Sequence, residues 1–216
     1  MLTVVVGVGP GMGMSLARRF GREGSALALV VRSESSGAGF VAELADIGVE
    51  AEAYVADIGV EASLRGALAA VRERQGDPDV ALFNASVGAP GTPGEVATSD
   101  LEEAWRVGVL GAVWTLQEVL PAMRARDSGV FIATGSGVAL APWPAGTPIT
   151  LAKAALRAYV LAAARDLAGT GVHAATVTID GVLGVPGFEP DTIAERFWSL
   201  AAQPRGEFDA ELVHRP

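Results

Sequence analysis

Cysteine is absent from this 216-residue chain, and histidine occurs only twice, at His173 and His214. Without cysteine there is no disulfide framework, no thiolate metal site and no thiol nucleophile. The two histidines lie far apart and follow no metal-ligand spacing. Lysine is nearly absent as well: Lys153 stands alone against fifteen arginines. There is no basic run and the net charge is −9, so nucleic-acid binding is not expected. No apolar stretch reaches the ~18 residues of a membrane span. No basic stretch precedes the apolar run at residues 2–8, so no signal peptide is expected. These absences predict a soluble cytoplasmic protein. At ~100–200 residues per domain, the length predicts one domain.

What the chain does have is apolar residues, half of the total, and 27 glycines. Seven short runs read as strands, at 2–8, 26–32, 51–57, 79–85, 129–135, 172–179 and 207–213. Most are continuously apolar rather than alternating, which suits strands covered on both faces of a parallel sheet. Helical spacing fills the intervals at 12–23, 39–47, 60–75, 99–126, 149–168 and 191–202. Ser99 and Glu102 fit a capping box at the head of the fourth. Gly48 and Gly169 fall where helix ends favour glycine. Such strand–helix alternation builds a doubly wound α/β sheet with helices on both faces. The Gly/Pro-rich stretches 87–94, 142–148 and 181–190 are expected as loops at the carboxyl ends of strands, where such folds bind ligands.

The first strand runs into VVGVGPGMGMSLARRF. Gly7, Gly9, Gly11 and Gly13 fall between strand and helix, where the chain needs torsions other residues resist. A pyrophosphate also needs close approach to the backbone at a helix N-terminus. Met12 lies within this turn. The spacing of Gly7, Gly11 and Gly13 is GxxxGxG, and here the chain resembles the short-chain dehydrogenase/reductase family. The resemblance continues through Asp57 at the end of the third strand. It includes FNAS (83–86), VLPAMR in the helix 99–126, Ser136 after the fifth strand and Lys153 in AKAAL.

The resemblance implies one Rossmann-like NAD(P)-binding domain over residues 1–216, with strand order 3-2-1-4-5-6-7. It assigns the dinucleotide to Gly7, Gly9, Gly11, Met12 and Gly13, to Asp57, and to Asn84, Ala85 and Ser86 after the fourth strand. Lys153, Gly181 and Val182 belong to its nicotinamide end. NAD-dependent relatives carry an acid at the end of the second strand. Here Val31 is followed by Arg32 and Ser33. Arg32 suits a 2′-phosphate, which favours NADP(H). NAD(H) remains the alternative, and Glu34 opposes a phosphate.

The family's catalytic set is Asn, Ser, Tyr and Lys. Ser136 and Lys153 fall in register, but the tyrosine position is Ile149 and the asparagine position is Gly108. No tyrosine lies between Tyr54 and Tyr159, so no small shift of register restores the set. An isoleucine cannot exchange a proton. General acid–base catalysis is worth typically ~10²–10⁴-fold, so carbonyl reduction by the usual route would be impaired. Asp180-Gly181 replaces the family's Pro-Gly, and only a short lid follows. Two readings stand. One is an NADP(H)-dependent oxidoreductase with altered proton chemistry, acting on an unidentified carbonyl, alcohol or enone. The other is a non-catalytic dinucleotide sensor or partner subunit. Apolar residues on more than one face of the helices 99–126 and 149–168 predict a homodimer or homotetramer through them.

Overall fold

A computed structural model describes residues 1–215. Its seven strands are β1 (Leu2–Val6), β2 (Ala26–Val31), β3 (Ala51–Val55), β4 (Val80–Phe83), β5 (Gly129–Ser136), β6 (Val172–Ile179) and β7 (Glu211–His214). They form one sheet in the order β3-β2-β1-β4-β5-β6-β7. Every adjacent pair is parallel. The expected order and doubly wound architecture are therefore those of the molecule.

Seven helices cover the sheet: α1 (Met12–Arg22), α2 (Glu34–Ala45), α3 (Glu61–Gln75), α4 (Thr98–Trp105), α5 (Gly111–Ala125), α6 (Thr147–Asp166) and α7 (Pro190–Ala201). The strands are apolar on successive residues because the two layers claim alternate side chains. Val4, Val6, Phe83 and Phe131 pack with Leu64, Leu116 and Leu156 under α3, α5 and α6. Val5, Leu29, Leu82 and Val177 pack with Leu16, Phe20 and Phe197 under α1 and α7. Truncating one of the fully buried phenylalanines to alanine would cost about 3–5 kcal/mol.

Four details depart from the sequence reading. α2 begins at Glu34, earlier than the apolar spacing indicated, because the Ser33 hydroxyl accepts from the Ser36 amide at 3.3 Å and caps it. The expected Ser99–Glu102 box does not form. The backbone is extended only up to Ala97, so Ser99 already lies inside α4. The long fourth helix runs on without a break from α4 to α5, but through a π turn at Arg106–Leu110 that the spacing did not indicate. β7 starts at Glu211 because Asp209 is tied back to Gln203, its amide donating at 2.8 Å.

The order places a switch point between β1 and β4, where crossovers leave in opposite directions and open a crevice at the strand carboxyl ends. The loops after β4 and β5 are stitched together beside it. Gly91 N donates to Ala145 O at 2.9 Å, and Thr147 N to Gly91 O at 3.1 Å. No helix among the described residues is long and apolar enough to cross a membrane.

Candidate functional site

The glycine turn is built by two close approaches. Gly7 has φ +88°, and a Cβ there would fall 2.7 Å from the Ala85 amide nitrogen. Only glycine lets the exit of β1 lie against the exit of β4. A Cβ on Gly13 would fall 2.7 Å from Val8 Cα, so Gly13 seats α1 on the turn. Gly9 and Gly11 face open space instead. The first turn of α1 carries no acidic residue, leaving its amide dipoles free to attract an anion.

A cleft of about 360 Å³ opens over this turn. Ten of the predicted binding residues line it: Gly7, Gly9, Gly11, Met12, Gly13, Arg32, Asp57, Asn84, Ala85 and Ser86. Ile58 and Val107 add an apolar wall that the motif reading missed. Val107 sits in the π turn, which no periodicity signalled. Arg32 is exposed and pairs with no carboxylate among the described residues. Asp57 folds back, its Oδ1 accepting from Gly59 N at 2.9 Å. Ser33 stands outside the cleft lining and caps α2.

From the cleft a chain of hydrogen bonds crosses to the far strands. Asn84 Nδ2 donates to Gly7 O at 2.9 Å, and Thr134 Oγ1 donates to Asn84 Oδ1 at 2.9 Å. Lys153 Nζ donates to Thr134 O at 2.6 Å. Thr134 thus links the nucleotide turn to the lysine. Lys153 is 5% exposed and has no carboxylate partner. Burial alone brings its ammonium down to about 8, because the charged form loses water. Ser136 is partly exposed, and its Oγ accepts from Val138 N at 3.4 Å, capping a short 3₁₀ turn.

Neither missing catalytic side chain is replaced by a neighbour. Ile149 lies on the first turn of α6, and a Cβ added at Gly88 would fall 3.6 Å from its Cδ1. Gly108 is buried in the π turn facing Ala152. Tyr54 donates to Glu52 at 2.9 Å on the edge strand β3, and burial with that carboxylate pushes it up to about 12. Tyr159 lies about three turns along α6, packed against the core and also raised by burial. No group of three or more metal-ligating side chains occurs among the described residues.

The lid after β6 folds on itself. Phe188 N donates to Val185 O at 2.8 Å, and the Phe188 ring packs directly on Gly181. His214 Nε2 donates to Gly187 O at 2.8 Å, and its ring meets Phe188 edge-on. Gly181 and Val182 therefore stand beyond the cleft lining, and Val182 is 69% exposed. Ser136 and Lys153 are likewise outside that lining, at the carboxyl end of β5 and in the second turn of α6. On the outer face, Leu101, Trp105 and Leu151 line an apolar groove between α4 and α6.

Comparison with known proteins follows this layout. The family model for short chain dehydrogenases matches residues 2–185. A short chain dehydrogenase of Pseudocercospora fijiensis is 26% identical over 220 aligned positions, spanning 97% of this chain and 71% of that protein. A metagenomic short-chain oxidoreductase solved in complex with NADP is 26% identical, with a TM-score of 0.91 over 100% of this chain and 97% of the other. An alcohol dehydrogenase of Thermococcus sibiricus complexed with 5-hydroxy-NADP is also 26% identical. Its TM-score is 0.87, over 100% and 99% of the two chains.

Proposed function

The chain belongs to the short-chain dehydrogenase family, and from that premise we propose that it is an NADP(H)-dependent oxidoreductase whose site works without the usual tyrosine. The observation that carries this reading is the glycine cradle. It is closed where a Cβ would strike the backbone and open at Gly9 and Gly11, and the unpaired guanidinium of Arg32 stands on its rim. That donor set fits a phosphorylated dinucleotide. The amides at the head of α1 suit the pyrophosphate, and Arg32 suits a 2′-phosphate. The complexes of two relatives with NADP and 5-hydroxy-NADP support the same cofactor.

Bound there, the cofactor would supply or accept a hydride. Lys153 would hold the nicotinamide ribose, its ammonium moving off Thr134 O. Gly181 and Val182 would flank the ring through their backbone. The Ser136 hydroxyl would donate to a substrate oxygen. Ile149 offers no proton, so substrates whose proton can arrive late suffer least. These are activated carbonyls and conjugated alkenes, which take the hydride first.

The test begins with calorimetric titration of NADPH and NADH. Micromolar NADPH binding with clearly weaker NADH is the expected result; binding of neither removes the reading. NADPH oxidation against a panel of carbonyls and enones, lost in Lys153→Ala, would then establish turnover. Ile149 and Gly108 favour a second reading, a dinucleotide sensor without catalysis. NADPH binding with no turnover across the panel would select it.

We further propose that a second copy covers the groove between α4 and α6. Glu102 and Arg106 lie one turn apart along its α4 wall, beside the 47%-exposed Trp105. A two-fold partner would pair these opposite charges reciprocally. Trp105→Glu should convert the oligomer to monomer in light scattering; a monomeric wild type would refute the assignment.

A further inference from the structure

At the carboxyl end of β6 stands an acid with an unusual setting. β5 and β6 run in register to Ser136 and Ile179, so Asp180 follows directly beside the Ser136–Gly137 turn. A Cβ on Gly137 would land on Asp180 Oδ1, so the carboxylate approaches this close only because residue 137 is glycine. Its other oxygen, Oδ2, accepts from Arg215 Nε at 2.5 Å, from just beyond β7. Oδ1 has no hydrogen-bond donor among the described residues, although the side chain is 29% exposed. Asp180 caps no helix. The carboxylate is thus fixed through Oδ2, while Oδ1 rests against the Gly137 turn without a hydrogen-bond donor among the described residues.

The topology says which half of a bound dinucleotide the end of β6 would meet. The glycine turn, Arg32 and Asp57 occupy the ends of β1, β2 and β3. An extended dinucleotide held there must place its other half across the ends of β4, β5 and β6, beyond the switch point. Asp180 ends β6. Two other charged groups lie near this end. The Lys153 ammonium is turned onto Thr134 O. Glu211 is consumed by Arg157 and Thr178 deeper along β6 and β7.

We infer that Asp180 discriminates between the oxidation states of the nicotinamide, binding the oxidised ring in preference to the reduced one. This rests on the dinucleotide-binding reading above. The reduced ring is neutral. Release of a hydride, two electrons and one proton together, to an electrophilic carbon leaves the ring with one positive charge. A nearby carboxylate stabilises that cation and does little for the neutral ring. Tighter binding of the oxidised form makes the bound reduced form a stronger hydride donor, by about 30 mV for each tenfold in the affinity ratio. A site that has lost its proton donor thereby gains driving force on the hydride side.

The experiment is calorimetric titration of the wild type, Asp180→Asn and Arg215→Gln with NADP⁺ and with NADPH. The preference for NADP⁺ over NADPH should fall roughly three- to tenfold in Asp180→Asn, the range a partly solvated unit charge supplies. It should rise in Arg215→Gln, which leaves the carboxylate less neutralised. An unchanged ratio, or equal weakening of both dinucleotides, overturns the inference while leaving cofactor binding intact. Binding of neither dinucleotide by the wild type removes both readings. Should Asp180→Asn fail to fold by circular dichroism, the exposed Arg215→Gln carries the test alone, and an unchanged ratio there overturns it.

Discussion

The cleft and the region beside it, over β5 and β6, are built from different materials. The end over β1, β2 and β3 is made of backbone: glycines in enforced conformations, helix amides and one rim arginine. The half over β5 and β6 is made of side chains, and there Ile149, Gly108 and Asp180 stand where the sequence resemblance leads one to expect tyrosine, asparagine and proline. A backbone cradle cannot be altered one atom at a time. Gly7 and Gly13 tolerate no Cβ, so a change there disturbs the sheet itself. A proton donor can be exchanged for an aliphatic group with the fold intact. On the proposed reading, the contrast would let a chain keep the binding half of a site while its reactive half changes.

The sharpest way to break this contrast is to restore the reactive end. Ile149→Tyr should raise NADPH-dependent reduction of a carbonyl panel by about 10²-fold or more, measured as absorbance loss. No gain would mean that the reactive end is altered beyond one residue.

Next is damage to the binding end. Gly7→Val should cut NADPH affinity by about 100-fold and lower Tm, because it strains a positive φ and strikes Ala85. Retained affinity would show that the cradle is not where the dinucleotide sits.

Lys153 sets a third test. Its pKa is about 8 in the folded protein, against 10.5 for a freely solvated lysine. The unfolded chain therefore binds more protons between these values, and stability should rise as pH climbs from about 8 to 10.5. The gain is about 3 kcal/mol, read from urea denaturation at several pH values. Lys153→Met should lack this rise and be the more stable protein at pH 7. A parallel pH dependence in the variant would show that the lysine is not the source.

The smallest effect belongs to Arg32→Ala. NADPH should weaken about tenfold, the scale of one charge-assisted contact, while NADH stays unchanged. Equal weakening of both would move the arginine away from the 2′-phosphate.

Much of the binding end was legible in the sequence because it is local. Ten of the predicted residues that line the cleft lie in two short segments and at the Arg32 and Asp57 positions, each directly after an apolar run. The continuous apolar runs announced a sheet buried on both faces, and the molecule has one. The reactive end was less legible because its parts meet only in space. Asp180 and Arg215 are 35 residues apart, and nothing in the chain announces their pairing. The packing of Phe188 on Gly181 closes the short lid on itself, which the lid's length alone did not show. Ser99 misled because the capping pattern was present in a helix that had already begun. The start of α2 was hidden because ESSGAG offers no apolar spacing. Gly37 belongs there for packing: a Cβ would fall 2.7 Å from Ala53 Cβ.

A single buried lysine also gives this protein a built-in clock. Only two primary amines exist in the chain, the exposed α-amine of Met1 and the 5%-exposed Lys153. An amine-directed acylating reagent should mark the terminus at once and the lysine only when α6 parts from β5. The lag between the two marks, followed by intact mass, measures how often the heart of the site opens to solvent. Any ligand that holds those elements together would lengthen the lag without needing to be converted.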